Sequence, residues 1–252
     1  MSYFGNSKEG EKIFRGAYTY MRNTNIYSEE SFEVFRDKKE MTFTFISEII
    51  SRVATGELLN INTFYKINKD YIPLVVDIHR SLGNHSVQEK YEYDMRRTRI
   101  GYTFKNQDGE SHSCELTTNP KFYITTSASC SSMLYLRSKK FDNTGKNYFS
   151  IFTSNNHWEF TEEPSVKNIV VSRVSQTSES LKVGNSSLDS IQYKLMEQSL
   201  DSEEQADPHA PPQEEKDVRI WCSQHMTIPY LIKDRDGTKI EVKYLNNLDK
   251  DQ

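Results

Sequence analysis

The chain has 252 residues, 35% hydrophobic and 27% charged, with a formal net charge of −4, which is long enough to bury a core without disulfide or metal staples. Eight acidic residues and one lysine fall between Glu197 and Asp217, leaving the remainder near +3. A body so weakly basic lacks the concentrated basic face expected of a nucleic-acid binder. No apolar run approaches the roughly 20 residues of a transmembrane helix.

The N-terminal stretch MSYFGNSKEGEKIF contains no apolar core of a secretory signal. Three cysteines, Cys114, Cys130 and Cys222, form no C-x-x-C pair and fit a reducing compartment better than a disulfide framework. A cytoplasmic protein is expected.

From Lys12 to Met21 the sequence alternates, with Phe14, Gly16, Tyr18 and Tyr20 on one face. Phe32, Val34 and Arg36 alternate again, followed by Met41, Phe43 and Phe45 against Thr42 and Thr44. Helical spacing competes between Phe45 and Val53, but β-branched and aromatic content without an N-cap favours strand. Leu58 to Ile67 continues the meander into the most informative stretch, Tyr71 to Phe104, which reads as three antiparallel strands. There Tyr71, Pro73, Val75, Asp77 and His79 share one face. Val87, Glu89, Tyr91 and Tyr93 share a face of the next run.

Asn106-Gln107-Asp108-Gly109 predicts a tight turn. Strands are expected over Ser111 to Leu116 and Lys121 to Thr126, then a loop with one short helix over Ser127 to Phe141. Tyr148 to Thr153 is the next strand, and His157-Trp158-Glu159-Phe160 is expected to begin another that Pro164 stops. Val166 to Val174 and Ser187 to Met196 follow, with Gly184-Asn185 as a turn between strands. Residues 198–216 carry three prolines and almost no large apolar side chain, the composition of a disordered acidic insertion. The tail beyond it is too short for its own core, so Asp217 to Ile228 and Leu231 to Leu245 are expected to complete one 1–252 domain. The expected fold is all-β: a single, strongly curved antiparallel sheet, a half-barrel or open barrel, with one or a few short helices.

Signature motifs for nucleotide, zinc or Ser-hydrolase chemistry are absent, so no cofactor and no metal site are expected. What remains are polar side chains at strand positions expected to look inward. Glu89, between Val87 and Tyr91, is a carboxylate on a face that should be buried. Asp77 and His79, at i and i+2, are spaced for a carboxylate to orient an imidazole. Arg219, Trp221, Ser223, His225 and Thr227 share a face that mixes an aromatic wall with hydrogen-bonding tips. The catalytic candidates are Glu89, His79, Asp77 and His225. The candidates for contacting a substrate are Tyr91, Tyr93, Tyr102, Trp158, Trp221 and Ser223. Cys130 sits in a serine-rich loop without a visible base and reads as a structural thiol.

The closing stretch TIPYLIKDRDGTKIEVKYL resembles the ending of a group of bacterial half-barrel proteins, a proline-containing strand followed by an Asp-Gly turn and an amphipathic strand. In outline the meander is similar to the envelope lipoprotein carriers and their outer-membrane receptor, whose curved sheet wraps a helix-bearing plug around an apolar concavity. The resemblance implies that Ser127 to Phe141 is that plug. An enzyme of violacein biosynthesis uses a similar half-barrel, which implies that such a fold can host catalysis on an aromatic substrate. Two functions follow as expectations. One is a cofactor-independent isomerase, cyclase or lyase acting on a hydrophobic or aromatic small molecule in the concave cavity. The other is a non-catalytic binding or carrier protein for a hydrophobic small molecule or lipid. Nothing in the pattern specifies an oligomeric state.

Overall fold

The computed structural model describes residues 9–137, 145–198, 217–223 and 227–249. His225, and the acidic insertion from residue 199 onward, lie outside them. Eight strands form the first half: β1 (Glu11–Arg22), β2 (Asn25–Asp37), β3 (Thr42–Arg52), β4 (Leu58–Asn68), β5 (Pro73–Leu82), β6 (His85–Asp94), β7 (Arg99–Asn106) and β8 (Ser111–Thr117). The second half contains β9 (Tyr123–Ile124), β10 (Lys146–Thr153), β11 (Ser165–Arg173), β12 (Glu179–Val183), β13 (Ser186–Gln198), β14 (Asp217–Cys222), β15 (Pro229–Lys233) and β16 (Thr238–Asn247). Two short 3-10 helices, Ser129–Ser131 and Leu134–Arg137, complete the described elements.

All sixteen strands belong to one open sheet, ordered β8-β7-β6-β5-β4-β3-β2-β1-β16-β15-β14-β13-β11-β10-β9, with β12 paired to β13 off this path. The first and last strands pair with each other, Tyr18 opposite Val242. Every pairing is antiparallel except β9 with β10. The region of competing helical spacing, Phe45 to Val53, is strand through Arg52 because it pairs along its length with both β2 and β4. No helix among the described residues is long and apolar enough to cross a membrane.

The sheet rolls onto its own concave face. β9 ends the strand path, yet Tyr65 of β4 donates its hydroxyl to the Ile124 carbonyl and accepts the Ile124 N–H, at 3.1 and 3.2 Å. Period-2 side chains therefore meet across the roll, where Tyr18, Phe32, Tyr65, Val76 and Ile78 form one buried cluster with Phe122 and Leu134. Gly16 permits a close approach within it. A Cβ there would stand 2.5 Å from the Phe32 ring, which instead lies across β1 and stacks on Tyr18 at 5.3 Å. A second cluster gathers Met133 and Tyr135 against β10, β11 and β14. Of the expected plug, Ser127 to Phe141, the stretch from Ala128 to Tyr135 packs into these two clusters, and residues 138–141 lie outside the described residues.

Two predicted strands differ in the structure. Lys121 to Thr126 shrinks to Tyr123–Ile124, because the Tyr65 hydroxyl takes the place of a second strand neighbour. Residues 157–160 form no strand. Their loop is held by a side chain instead, the Asn156 carboxamide, whose oxygen accepts the N–H groups of Thr161 and Glu162.

Candidate functional site

Register places three strands' inward side chains in rows: Ile78, Glu89 and Phe104 in one, and Val76, Tyr91 and Tyr102 in the next. Arg80 occupies the following inward position on β5, opposite Val87, so its side chain reaches diagonally to Glu89. The Arg80 Nη1 donates to Glu89 Oε2 at 2.7 Å, while Tyr102 and Tyr91 donate their hydroxyls to Oε1 at 3.0 and 3.3 Å. The carboxylate is 1% exposed and the guanidinium side chain 12%. Burial, then the Glu89 charge, raises both tyrosine hydroxyls well above their ordinary range, which keeps them as donors. Removing one partner of such a pair strands the other charge, at a cost of about 3–5 kcal/mol.

The network continues outward. Asn156, 0% exposed, donates its Nδ2 to the Tyr102 hydroxyl at 2.9 Å and to the Glu162 carbonyl at 2.8 Å. Its Oδ1 accepts the Thr161 N–H at 2.7 Å and the Thr161 hydroxyl at 2.9 Å. A buried ion pair in the sheet thus fastens the loop between β10 and β11, and that loop carries Trp158, Glu159 and Phe160.

Beside it opens a cleft of about 630 Å³ walled by Val87, Phe104, His112, Trp158 and Phe160, with His85, Asp108, Glu110 and Glu159 also lining it. Phe160 stacks on His112 with centroids 4.4 Å apart and planes 7° from parallel. It also stands 6.3 Å from Phe104. Gly109, at φ +86°, takes the left-handed conformation the β7–β8 turn requires and so helps present Asp108 and Glu110 beside the wall.

The predicted site residues separate. Glu89, Tyr91 and Tyr102 meet in the buried network, and none lines the cleft. Tyr93 is half-buried on the same face, packed edge-on against Phe122 at 4.8 Å. Asp77 and His79 do not join Glu89: they pair across from Lys90 and Gln88, on the convex face. Gln88 Nε2 donates to both Asp77 oxygens at 2.9 Å. Burial raises the Asp77 carboxyl against that hydrogen bond. Burial also lowers the His79 imidazole, with the Asp77 charge opposing. Trp158 lines the cleft. Trp221 lies elsewhere, its ring 5.6 Å from the Lys233 ammonium. Ser223 lines a separate opening of about 850 Å³, where pairing between β15 and β16 stops at Leu231 opposite Glu241. Among the described residues no three His, Cys, Asp or Glu side chains are grouped to hold a metal ion.

A second buried carboxylate escaped the sequence reading. Glu30, 0% exposed, accepts the Tyr20 hydroxyl at 2.5 Å and the N–H groups of Ser129 and Cys130 at 2.8 and 3.3 Å. Among the described residues no Lys or Arg pairs with it. Burial raises its carboxyl above the ordinary value, offset by these donors. Burial, and then the Glu30 charge, also pushes the Cys130 thiol up, which keeps it protonated and unreactive. Glu30 shares parity with Phe32 and Val34, the signal that could have found it. Arg80 likewise shares parity with Val76 and Ile78. Asn156 had no such signal, because loops have no period.

No protein-family model matches the chain, and no curated protein matches it in sequence. Its fold is shared with a β-barrel-like protein of the domain of unknown function DUF1849 from Brucella abortus: TM-score 0.55 at 8% identity, over 95% of this chain and 99% of that one. A DUF1089 family protein from Pseudomonas aeruginosa matches at TM-score 0.40 and 11% identity, over 66% of this chain and 82% of its own. At 8% identity the first likeness is one of fold alone, a β-barrel-like architecture.

Proposed function

We propose that the protein binds a hydrophobic or aromatic small molecule in the cleft beside the Asn156 loop. The observation that supports this reading is the anchorage of the loop. A buried ion pair, two tyrosine hydroxyls and a fully buried asparagine converge on a surface segment whose neighbouring side chains, Trp158 and Phe160, wall a concavity. Prior fixing of a binding wall cuts the ordering cost of ligand capture. The cleft volume falls within the range of about 300–1,000 Å³ usual for small-molecule sites. Catalysis by Glu89 has less support, because an acid or base must come within hydrogen-bond reach of its substrate, and this carboxylate is enclosed by Arg80, Tyr91 and Tyr102.

The chain has two tryptophans, so Trp221→Phe leaves Trp158 as the sole reporter. Titrating that variant with phenylbutanol should shift Trp158 emission saturably, and Phe160→Ala in the same background should weaken binding about tenfold, roughly the loss of one aromatic contact. A linear, non-saturating response that Phe160→Ala leaves unchanged would remove the cleft from consideration.

A further inference from the structure

Resting on that reading, we propose that the ligand of this cleft carries a cationic group, an ammonium or similar, attached to its apolar or aromatic body. The argument is charge complementarity across an aromatic concavity. Three carboxylates line the cleft, Asp108, Glu110 and Glu159, and among the described residues no lysine or arginine does. Arg80, the nearby buried cation, is already neutralised by Glu89 at 2.7 Å.

The three carboxylates, set in the β7–β8 turn and the β10–β11 loop, also differ from carboxylates on the neighbouring strands β6 and β8. Glu92 pairs with Lys90, and Glu115 with Arg99, whereas none of the three cleft carboxylates forms an ion pair among the described residues. Glu110 is held at the rim by its hydrogen bond from Asn106 Nδ2 at 3.0 Å, so its charge is placed rather than free to swing outward. Carboxylates on a surface would by themselves mean little; here they edge a cavity whose wall includes Phe104, Trp158 and Phe160. Aromatic faces attract cations through their quadrupole, and a low-dielectric concavity focuses the field of the acids at its mouth. An anionic ligand would meet three carboxylates with only the imidazoles of His85 and His112, among the described lining residues, to set against them.

The test uses three probes with one body: phenylbutylamine, phenylbutanol and phenylbutyrate, each titrated into the Trp221→Phe protein at low salt with Trp158 emission as readout. The amine should bind about tenfold tighter than the alcohol, the sum of modest cation–π and exposed-pair contributions, and the acid should bind weakest. Added salt should weaken the amine and not the alcohol. In the Asp108→Asn, Glu110→Gln, Glu159→Gln variant the amine-to-alcohol ratio should fall to about one. Equal affinities for the three probes, or a preference for the acid, would overturn the cation and leave the cleft standing as an apolar site. Saturable binding by none of them would overturn both the cation and the binding reading.

Discussion

Glu89 and Glu30 are both carboxylates sealed on the concave face, yet the protein handles them in opposite ways. Glu89 is balanced by a guanidinium and receives two tyrosine hydroxyls. Glu30 has no cation among the described residues and is held by one hydroxyl and two backbone N–H groups. The first fastens an outer loop that walls a cleft, and the second fastens the interior plug at Ser129–Ser131. The contrast teaches that a buried charge is not by itself a sign of catalysis. Both serve as attachment points between the rolled sheet and segments with little ladder pairing of their own. They differ in what is lost when a partner is taken away.

The largest effect is expected from Arg80→Met, which leaves Glu89 buried and unbalanced. Stability should fall by about 3–5 kcal/mol, read as a lower denaturation midpoint at constant slope. A loss under 1 kcal/mol would mean that Glu89 reaches solvent or finds another cation. Next comes Asn156→Ala, which removes the hydrogen bonds joining the loop to Tyr102 and should cost about 1–3 kcal/mol.

Glu30→Gln should have a smaller effect at neutral pH, because no cation is stranded, but it should change the pH dependence. The folded-state pKa of Glu30 lies above its ordinary 4.5, so between those two values the native state holds more protons than the unfolded chain. Stability therefore declines as pH rises through that window. Glu30→Gln should remove this decline, and the difference between the two proteins should shift in favour of wild type on acidification. Parallel stability curves for the two proteins across the window would show that Glu30 does not titrate as its burial demands. The smallest effect belongs to the convex face, where Asp77→Asn should change stability by within about 0.5 kcal/mol and leave cleft binding untouched.

Much of this arrangement was legible in the alternation of residues. Val87, Glu89 and Tyr91 read as one inward row, and that row is where the network forms. On β5 alternation separated Asp77 and His79 from Ile78, but apolar residues occur at both parities there, among them Val75 and Val76. Only the register with β6, which sets Ile78 opposite Glu89, decides that Asp77 and His79 face outward. Glu30 was hidden beside Glu29, a pair that looks solvated until Phe32 and Val34 fix its parity. The aromatic residues of the Trp158 loop mimic strand composition, so the pattern predicts a strand where the chain forms a loop. Its order comes from one asparagine side chain, which closes the loop locally on Thr161 and Glu162 and ties it to Tyr102, a long-range contact that no local pattern encodes.

The central claim is that the buried network exists to hold the cleft wall, and Asn156 is its last link. The most direct test compares phenylbutanol affinity and Trp158 emission anisotropy in Trp221→Phe with and without Asn156→Ala, at a temperature where circular dichroism shows both folded. The account predicts faster Trp158 motion and affinity lowered by about tenfold or more, the cost of ordering a loosened wall. Unchanged affinity, with Trp158 as rigid as before, would contradict it.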